Sequence, residues 1–314
     1  MARLPRARVR RRARRLRQTS SPFWRHQVKV PALIQRTVSG VLIIAALLGV
    51  LFWLPPIGML PILLAVAALA SFEFFKLLPA ANIPRYPWIG TLCGLLFLVG
   101  VWFEYTRPDM VRPVIEPALL FALVTTILIR QFPQKENPRP LETMAGTIMG
   151  VLYAPFLLSF FPRLMFQWGS AGGGWLILYL VFVVKMSDVG AYFVGCSLGR
   201  HKLCPRISPK KTWEGFFGGL VFALTTSVFW WKLAHGHVGA LAITLPHALA
   251  LGLLLALMGV LGDLAESILK RAANVKDSAS YIQGMGGILD VLDSLLLAAP
   301  TLYVYALLFL KPTS

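Results

Sequence analysis

The sequence predicts an all-α polytopic membrane protein of about nine transmembrane helices, and three observations carry that prediction. First, only 14% of the 314 residues are charged while 57% are apolar, against roughly 25% charged residues in a soluble domain. So little polar material excludes a soluble globular enzyme, a disordered tail and a collagen-like fibre. Second, apolar runs near the ~20 residues needed to cross a bilayer recur along the whole chain. Third, the basic residues are concentrated in particular connections between those runs.

The chain begins with a basic arm, residues 1–36, which holds twelve of the 31 Lys and Arg and no acid. Each such residue near a membrane surface contributes roughly 1 kcal/mol of attraction to anionic lipid, so the arm reads as a cytoplasmic segment held to the bilayer. No aromatic interleaving or folded motif accompanies the run, and nucleic acid is not an expected partner. Nor does a small-residue cleavage site follow Val38–Leu54, which disfavours a secretory signal. Nine apolar runs are then expected as helices: Val38–Leu54, Ile57–Phe75, Trp88–Phe103, Pro113–Ile129, Thr143–Phe161, Trp175–Val194, Gly215–Trp231, Gly239–Gly262 and Ile288–Leu310. Connections rich in Pro and Gly, such as Pro55-Pro56, punctuate them.

With the arm in the cytoplasm the connections alternate sides. Twenty-five Lys and Arg then fall on the cytoplasmic side, against Arg107, Arg112, Arg163, Lys232 and Lys311 opposite, with Lys185 inside a span. That is the positive-inside bias of a multi-pass protein of the cell (inner) membrane, and an error of two spans would leave the sidedness unchanged. The expected organisation is a basic arm (1–36), N-terminal transmembrane helices (37–140) and a C-terminal catalytic transmembrane domain (141–314). Cys93, Cys196 and Cys204 are too few and wrongly spaced for a disulfide framework or a zinc site. The His235–His237 pair reads as loop polarity.

Acids are scarce, and seven of the thirteen fall from Asp188 onward. A charge inside a span costs several kcal/mol and asks for a partner or a function. Asp263, Glu266, Ser267 and Lys270 stand at i, i+3, i+4 and i+7, one helical face at the end of the eighth run. Asp290 and Asp293 share a face at the start of the ninth. Between them, Gly286 and Gly287 in a Gly-rich turn can direct backbone amides at an anion beside a helix start. Carboxylates next to phosphate-binding groups suit Mg²⁺, which leaves coordination sites for substrate oxygens. The alternative is neutralisation of these acids by Lys270, Arg271 and Lys276 as interfacial salt bridges.

A second constellation lies upstream. Lys185, Ser187 and Asp188 precede Gly190-Ala191-Tyr192 in the sixth run, where the small residues also suit close helix packing and Lys185 is a ready partner for Asp188. A loop from Gly199 to Gly215 follows, with Arg200, Lys202, Arg206, Lys210 and Lys211 among Ser208 and Thr212. Fixed positive charges with hydroxyls suit a polyphosphate, and a merely positive-inside loop accounts for the charges equally well.

At these two stretches the chain resembles the phosphatidate cytidylyltransferase (CDP-diacylglycerol synthase) family. Ser187-Asp188-Val189-Gly190-Ala191-Tyr192 with Ile207-Ser208-Pro209-Lys210-Lys211-Thr212-Trp213-Glu214-Gly215 is similar to one family loop. Ser267-Ile268-Leu269-Lys270-Arg271, Lys276-Asp277-Ser278, Gly286-Gly287 and Asp290 to Asp293 are similar to its C-terminal signature. The resemblance covers roughly residues 145 to 310. It implies transfer of CMP from CTP to phosphatidate, giving CDP-diacylglycerol and pyrophosphate, at a cytoplasm-facing site in the C-terminal half. CTP, phosphatidate and the bilayer are the implied partners, with Mg²⁺ as cofactor and a second metal ion left open. Asp263, Asp290 and Lys270 are then the expected catalytic residues, and Asp263, Glu266, Asp290 and Asp293 the expected metal ligands. Asp188, Ser208, Lys210, Lys211, Ser267, Arg271, Lys276, Gly286 and Gly287 are expected to bind substrate.

Two residues depart from the family pattern. Met285 and Val291 stand where it usually has His and Arg, which bears on substrate affinity and on an acid–base role for the histidine. A CTP-dependent polyprenol or phytol kinase, a cation-binding transporter and an inactive family member are the competing readings. No pattern encodes the oligomeric state, and a homodimer is compatible with the sequence.

Overall fold

The computed structural model describes residues 30–107, 109, 114–132, 137–275, 278 and 286–312, with backbone alone at 30–37 and 171. The basic arm up to residue 29, Lys276, Asp277 and Met285 lie outside the described residues.

Ten helices are described: α1 (Val30–Trp53), α2 (Pro56–Ala80), α3 (Pro87–Thr106), α4 (Ile115–Ile129), α5 (Pro140–Val151), α6 (Phe160–Phe166), α7 (Ser170–Leu198), α8 (Trp213–Leu233), α9 (Leu245–Ala272) and α10 (Ile288–Phe309). Prolines open α2, α3, α5 and α9 within their first turn, where the missing N–H removes no intrahelical bond. A π-helical turn, Leu152–Phe156, joins α5 toward α6, and Pro155 lies inside it. Seven stretches are long and apolar enough to cross a membrane: Pro56–Ala80, Pro87–Thr106, Pro140–Phe166, Gly172–Leu198, Trp213–Leu233, Leu245–Ala272 and Ile288–Phe309. Val38–Trp53 and Ile115–Ile129 are shorter apolar helices. All nine expected runs therefore fall on helix, and the all-α polytopic class holds.

Two boundaries differ from expectation in ways that matter. The eighth run begins at Leu245 rather than Gly239, because His237–Val238 (β3) and Leu241–Ala242 (β4) pair as a small hairpin that also takes Lys311–Pro312 (β5). The same helix runs to Ala272 rather than ending at Gly262, so Asp263 through Lys270 lie within α9. The loop from Gly199 is also a hairpin, with Lys202–Cys204 (β1) antiparallel to Ser208–Thr212 (β2) and Lys202 opposite Thr212.

α7 and α8 approach backbone to backbone through a glycine seam. A Cβ on Gly219 would sit 2.8 Å from the Ser187 carbonyl oxygen, and one on Gly215 would sit 2.8 Å from that of Ala191. Side chains of any size would force the pair apart, the logic of small residues between membrane helices. In the same core Tyr179, wholly buried, bonds Ser227 at 2.7 Å, and Ser227 donates to the Ala248 carbonyl at 2.5 Å. Ser227 has one proton to give, so Tyr179 is the donor to it.

The connections sort into two ends. Arg139 donates to the Asn82 carbonyl at 2.6 Å and the Arg130 guanidinium lies 5.7 Å from the Tyr86 ring centre, which gathers the α2–α3 and α4–α5 connections. At the other end Arg163, largely buried, pairs with Glu116 at 2.7 Å. The β1–β2 hairpin, the end of α9 and the start of α10 meet at the first of these two ends.

Candidate active site

Two halves make up this meeting of helix ends. The first is built on the β1–β2 hairpin. Thr212 caps α8 by accepting from the Gly215 amide at 3.2 Å, the ordinary role of a threonine at a helix start. Glu214 reaches back to accept from the Arg200 and His201 amides at 3.1 and 3.2 Å, and from His201 Nδ1 at 2.6 Å. The Thr-Trp-Glu order is thereby explained: one residue starts the helix and another ties the hairpin's origin to it. Arg271 fixes the hairpin's far turn to α9 through the Ile207 carbonyl at 3.1 Å.

So braced, the hairpin aims two lysines at the helices. Lys211 meets Asp263 at 2.6 Å. A cavity of about 360 Å³ lies here, lined by Asp188, Tyr192, Lys210, Lys211, Val260 and Asp263 among others. Lys185 is 3.4 Å from Asp188 and also donates to Ser294 at 2.9 Å and to the Val291 carbonyl at 3.3 Å, so α7 is tied to α10 beside the cavity. Ser267 donates to Asp263 at 3.4 Å. Ser208 stands on β2, partly buried, at the strand's start opposite Cys204.

The second half is the start of α10. Asp290 Oδ2 accepts from the Gly287 amide at 2.7 Å and from the Ser278 amide and hydroxyl at 3.1 and 2.9 Å, while Oδ1 takes Lys270 at 2.6 Å. Glu73, wholly buried on α2, accepts from the Ile288 and Leu289 amides, each at 2.8 Å, and lies 2.7 Å from the Ser278 hydroxyl, whose single proton it shares with Asp290. Gly286 adopts φ +93°, a region that favours glycine, and a Cβ on Gly287 would collide with Glu73 and Ser278. The amides expected to cradle substrate phosphate are thus held by two of the protein's own carboxylates. The turn anchors a helix.

Glu73 is the functional residue that motif reading missed. Its signal is a lone acid in the apolar stretch Ser71-Phe72-Glu73-Phe74-Phe75, and a charge in a span asks for a partner. Ser294 carries no such signal, and Ser278 lies in the Lys276-Asp277-Ser278 motif with no role of its own assigned there.

Between the halves lies Glu266, with 0% exposure and no hydrogen bond to either carboxylate oxygen among the described residues. Lys270 stands 3.4 Å from it. Asp290 and Asp293 lie close enough for charge interaction with it, as does Asp263 with Asp293. Gly262 lets the Asp293 backbone come against α9. Among the described residues no three His, Cys, Asp or Glu side chains are gathered about a single point; lysines face Asp188, Asp263 and Asp290 instead. In chemistry, Asp263, Glu266 and Asp293 fit a hard divalent cation, being all-oxygen donors. The undonated oxygens of Glu266 mark the deficit such an ion would relieve. Asp290 fits less well, because both its oxygens already have partners.

Most of the chain is similar to known proteins. A family model described as "Cytidylyltransferase family" matches residues 34–309. A phosphatidate cytidylyltransferase of Bacillus subtilis is 34% identical over 284 residues, covering 88% of this chain and 98% of the relative. Those of Haemophilus influenzae and Pseudomonas aeruginosa are each 31% identical, covering 85% of this chain and 96% and 94% of themselves. With the match running through the arm's end, all the helices and both halves of the site, the chain belongs to the cytidylyltransferase family.

Proposed function

We propose that this protein is a phosphatidate cytidylyltransferase. A phosphate oxygen of phosphatidate bonds to the α-phosphorus of CTP, the bond from that phosphorus to the β-phosphate oxygen breaks, and CDP-diacylglycerol and pyrophosphate result. The single observation that carries this reading is the cavity where Lys210, Lys211, Asp188 and Asp263 line one wall system between hairpin and helices.

A phosphate monoester's second pKa is about 6, so the attacking group is already an anion at neutral pH. No general base is required. The work left to the protein is alignment and charge neutralisation, as in phosphoryl transfer generally. Lys210 and Lys211 supply fixed cations for the triphosphate, and Lys211 exchanges its Asp263 partner for phosphate oxygens. Arg271 and Glu214 keep the hairpin, and hence both lysines, at a constant distance from α9. Lys270 holds Asp290 and neutralises the carboxylates around Glu266. Asp263, Glu266 and Asp293 would have to draw together to hold Mg²⁺, beside an Asp290 that Lys270 occupies, and the ion would supply charge stabilisation on the departing pyrophosphate.

The lipid substrate keeps its chains in the bilayer while the nucleotide arrives from water, so the site belongs at a membrane boundary. The basic bias assigns that boundary to the cytoplasm, with the protein in the cell (inner) membrane. A cysteine introduced at Lys202 should label in intact cells only after the inner face is opened; labelling from outside would reverse the orientation.

The decisive assay uses protein in detergent with labelled CTP, phosphatidate and Mg²⁺. CDP-diacylglycerol and pyrophosphate are expected. Release of CDP with a phosphorylated lipid alcohol would instead identify a CTP-dependent lipid kinase, and no turnover of CTP would remove the catalytic reading.

A further inference from the structure

Away from the site, on the outer side of α2, a cavity of about 400 Å³ lies between α2 and α3. Its floor is apolar, with Ala68, Leu69 and Phe72, and its mouth carries Lys76, Arg85 and Trp88. We propose that this groove binds one anionic phospholipid, its headgroup phosphate on Lys76 and Arg85 and an acyl chain along Leu69 and Phe72.

Four observations support the assignment. The groove opens to the bilayer side: Phe72 is 44% exposed and Trp88 81% exposed. Trp is enriched at the headgroup level of membranes, where one part of the ring is apolar and another wet. The cations sit at one end only. Lys76 stands one helical turn after Phe72, its ammonium 4.5 Å from that ring's centre, and Arg85 lies just ahead of α3.

Arg85 is the strongest of these. Its Nε is buried without a hydrogen-bond partner among the described residues, and burial lowers the pKa of its guanidinium from the ordinary value. A partly desolvated guanidinium is stabilised by a phosphate, which its fork can bind through two parallel donors. Further cations are described nearby. Arg130 lies by Tyr86, and Arg139 on the Asn82 carbonyl is matched by Glu142 alone. Glu73, the acid nearest in sequence, faces α10 instead.

A free nucleotide or inorganic phosphate would meet the cations and leave the apolar floor uncovered. A lipid with a negative headgroup satisfies both, as basic pockets between membrane helices do. The groove shares no lining residue with the cavity at the hairpin, so the inference stands apart from the catalytic reading. Because α2 also carries Glu73, a lipid seated here stiffens the helix on which the start of α10 rests.

The test is native mass spectrometry of the protein in neutral detergent, titrated with phosphatidylglycerol or phosphatidylcholine of identical chains. One phosphatidylglycerol should be retained in preference to phosphatidylcholine. Each cation removed, in Lys76→Gln and Arg85→Gln, should weaken retention about fivefold, the worth of one basic residue near anionic lipid. Leu69→Trp, which keeps both charges and fills the floor, should also displace the lipid, and it serves if the charge variants fail to fold. Lys232→Gln, at the other end of the bundle, should change nothing. Equal retention of phosphatidylcholine, full retention by both the charge variants and Leu69→Trp, or equal thermal stabilisation by inorganic phosphate alone would overturn the proposal.

Discussion

The hairpin half of the site and the α10 half differ in what their charged groups are doing. At α10 the charges are fully engaged: the two carboxylates of Glu73 and Asp290 take four backbone amides, the Ser278 hydroxyl and the Lys270 ammonium. At the hairpin, Lys210 and Lys211 border an open cavity, and the Lys211–Asp263 pair is its principal internal contact. A group with every partner in place holds geometry. A group with partners to spare binds ligand. The two halves are otherwise alike in composition, so the division of labour is invisible to residue type and is set by which groups the fold has already satisfied.

Mutations should separate the halves. The largest effect is expected from Asp263→Asn: turnover should fall on the order of a hundredfold to a thousandfold, because the carboxylate that would hold the charge-stabilising ion is lost, on the scale of one electrostatic contact to the transition state. Its thermal midpoint in detergent should hold. A variant with near-normal turnover would remove Asp263 from the chemistry.

Glu73→Ala comes next, and it should lose both stability and turnover. It leaves two helix amides and the Ser278 hydroxyl facing a void, and hydrogen bonds to charged groups are worth about 1.5–3 kcal/mol each. A loss of about 3 kcal/mol is the expectation, read by thermal unfolding. Asp290→Asn should follow the Glu73 pattern rather than the Asp263 one. If Asp290→Asn instead kept its midpoint and lost only turnover, the partition drawn here between anchoring and binding would fail.

Arg271→Ala is a smaller effect. Releasing the hairpin turn from α9 should raise the KM for CTP about tenfold while kcat stays within a few-fold, because the lysines remain but lose their fixed position. A change in kcat alone would argue that Arg271 touches the reacting phosphates. Smallest of all should be the double change Met285→His with Val291→Arg. The five basic residues of the hairpin region are in place without them, and the KM is expected to move less than threefold; a hundredfold tightening would mean that those cations do not compensate.

The helices were legible because a bilayer imposes length and apolarity on every span; among the described residues seven of the expected runs meet both demands, and Val38–Trp53 and Ile115–Ile129 are apolar but shorter. The carboxylate face of α9 was legible too, since Asp263, Glu266 and Lys270 share it by helical spacing alone. The β1–β2 hairpin was not. Ser208-Pro209-Lys210-Lys211 has no alternation of apolar and polar residues, and its pairing depends on Glu214 and Arg271 bracing it from two helices. Gly286-Gly287 was read as a phosphate cradle because the glycines free the backbone for close approach. That much is so, but the groups that approach are Asp290, on the Gly287 amide, and Glu73, more than two hundred residues earlier in the chain, on the two amides that follow. Local sequence can say that a backbone is open to an anion; it cannot say whether the anion is a ligand or the protein itself. Glu73 also comes from the stretch assigned to the N-terminal helices, so the catalytic end of the bundle draws on both parts of the chain.

The glycine seam between α7 and α8 has a consequence for how the protein is made. Helices that associate inside lipid gain little from the hydrophobic effect and rely on close van der Waals packing, and contacts between neighbouring segments carry a small loop-closure cost. The seam joins two successive helices through one short hairpin, so its contacts are among the most local in the molecule. During synthesis this pair should assemble as soon as α8 leaves the ribosome, before α9 and α10 exist. Asp188 and Lys211 would then be set in register first, and the later helices would bring Asp263, Glu266 and Asp293 to a surface that is already waiting.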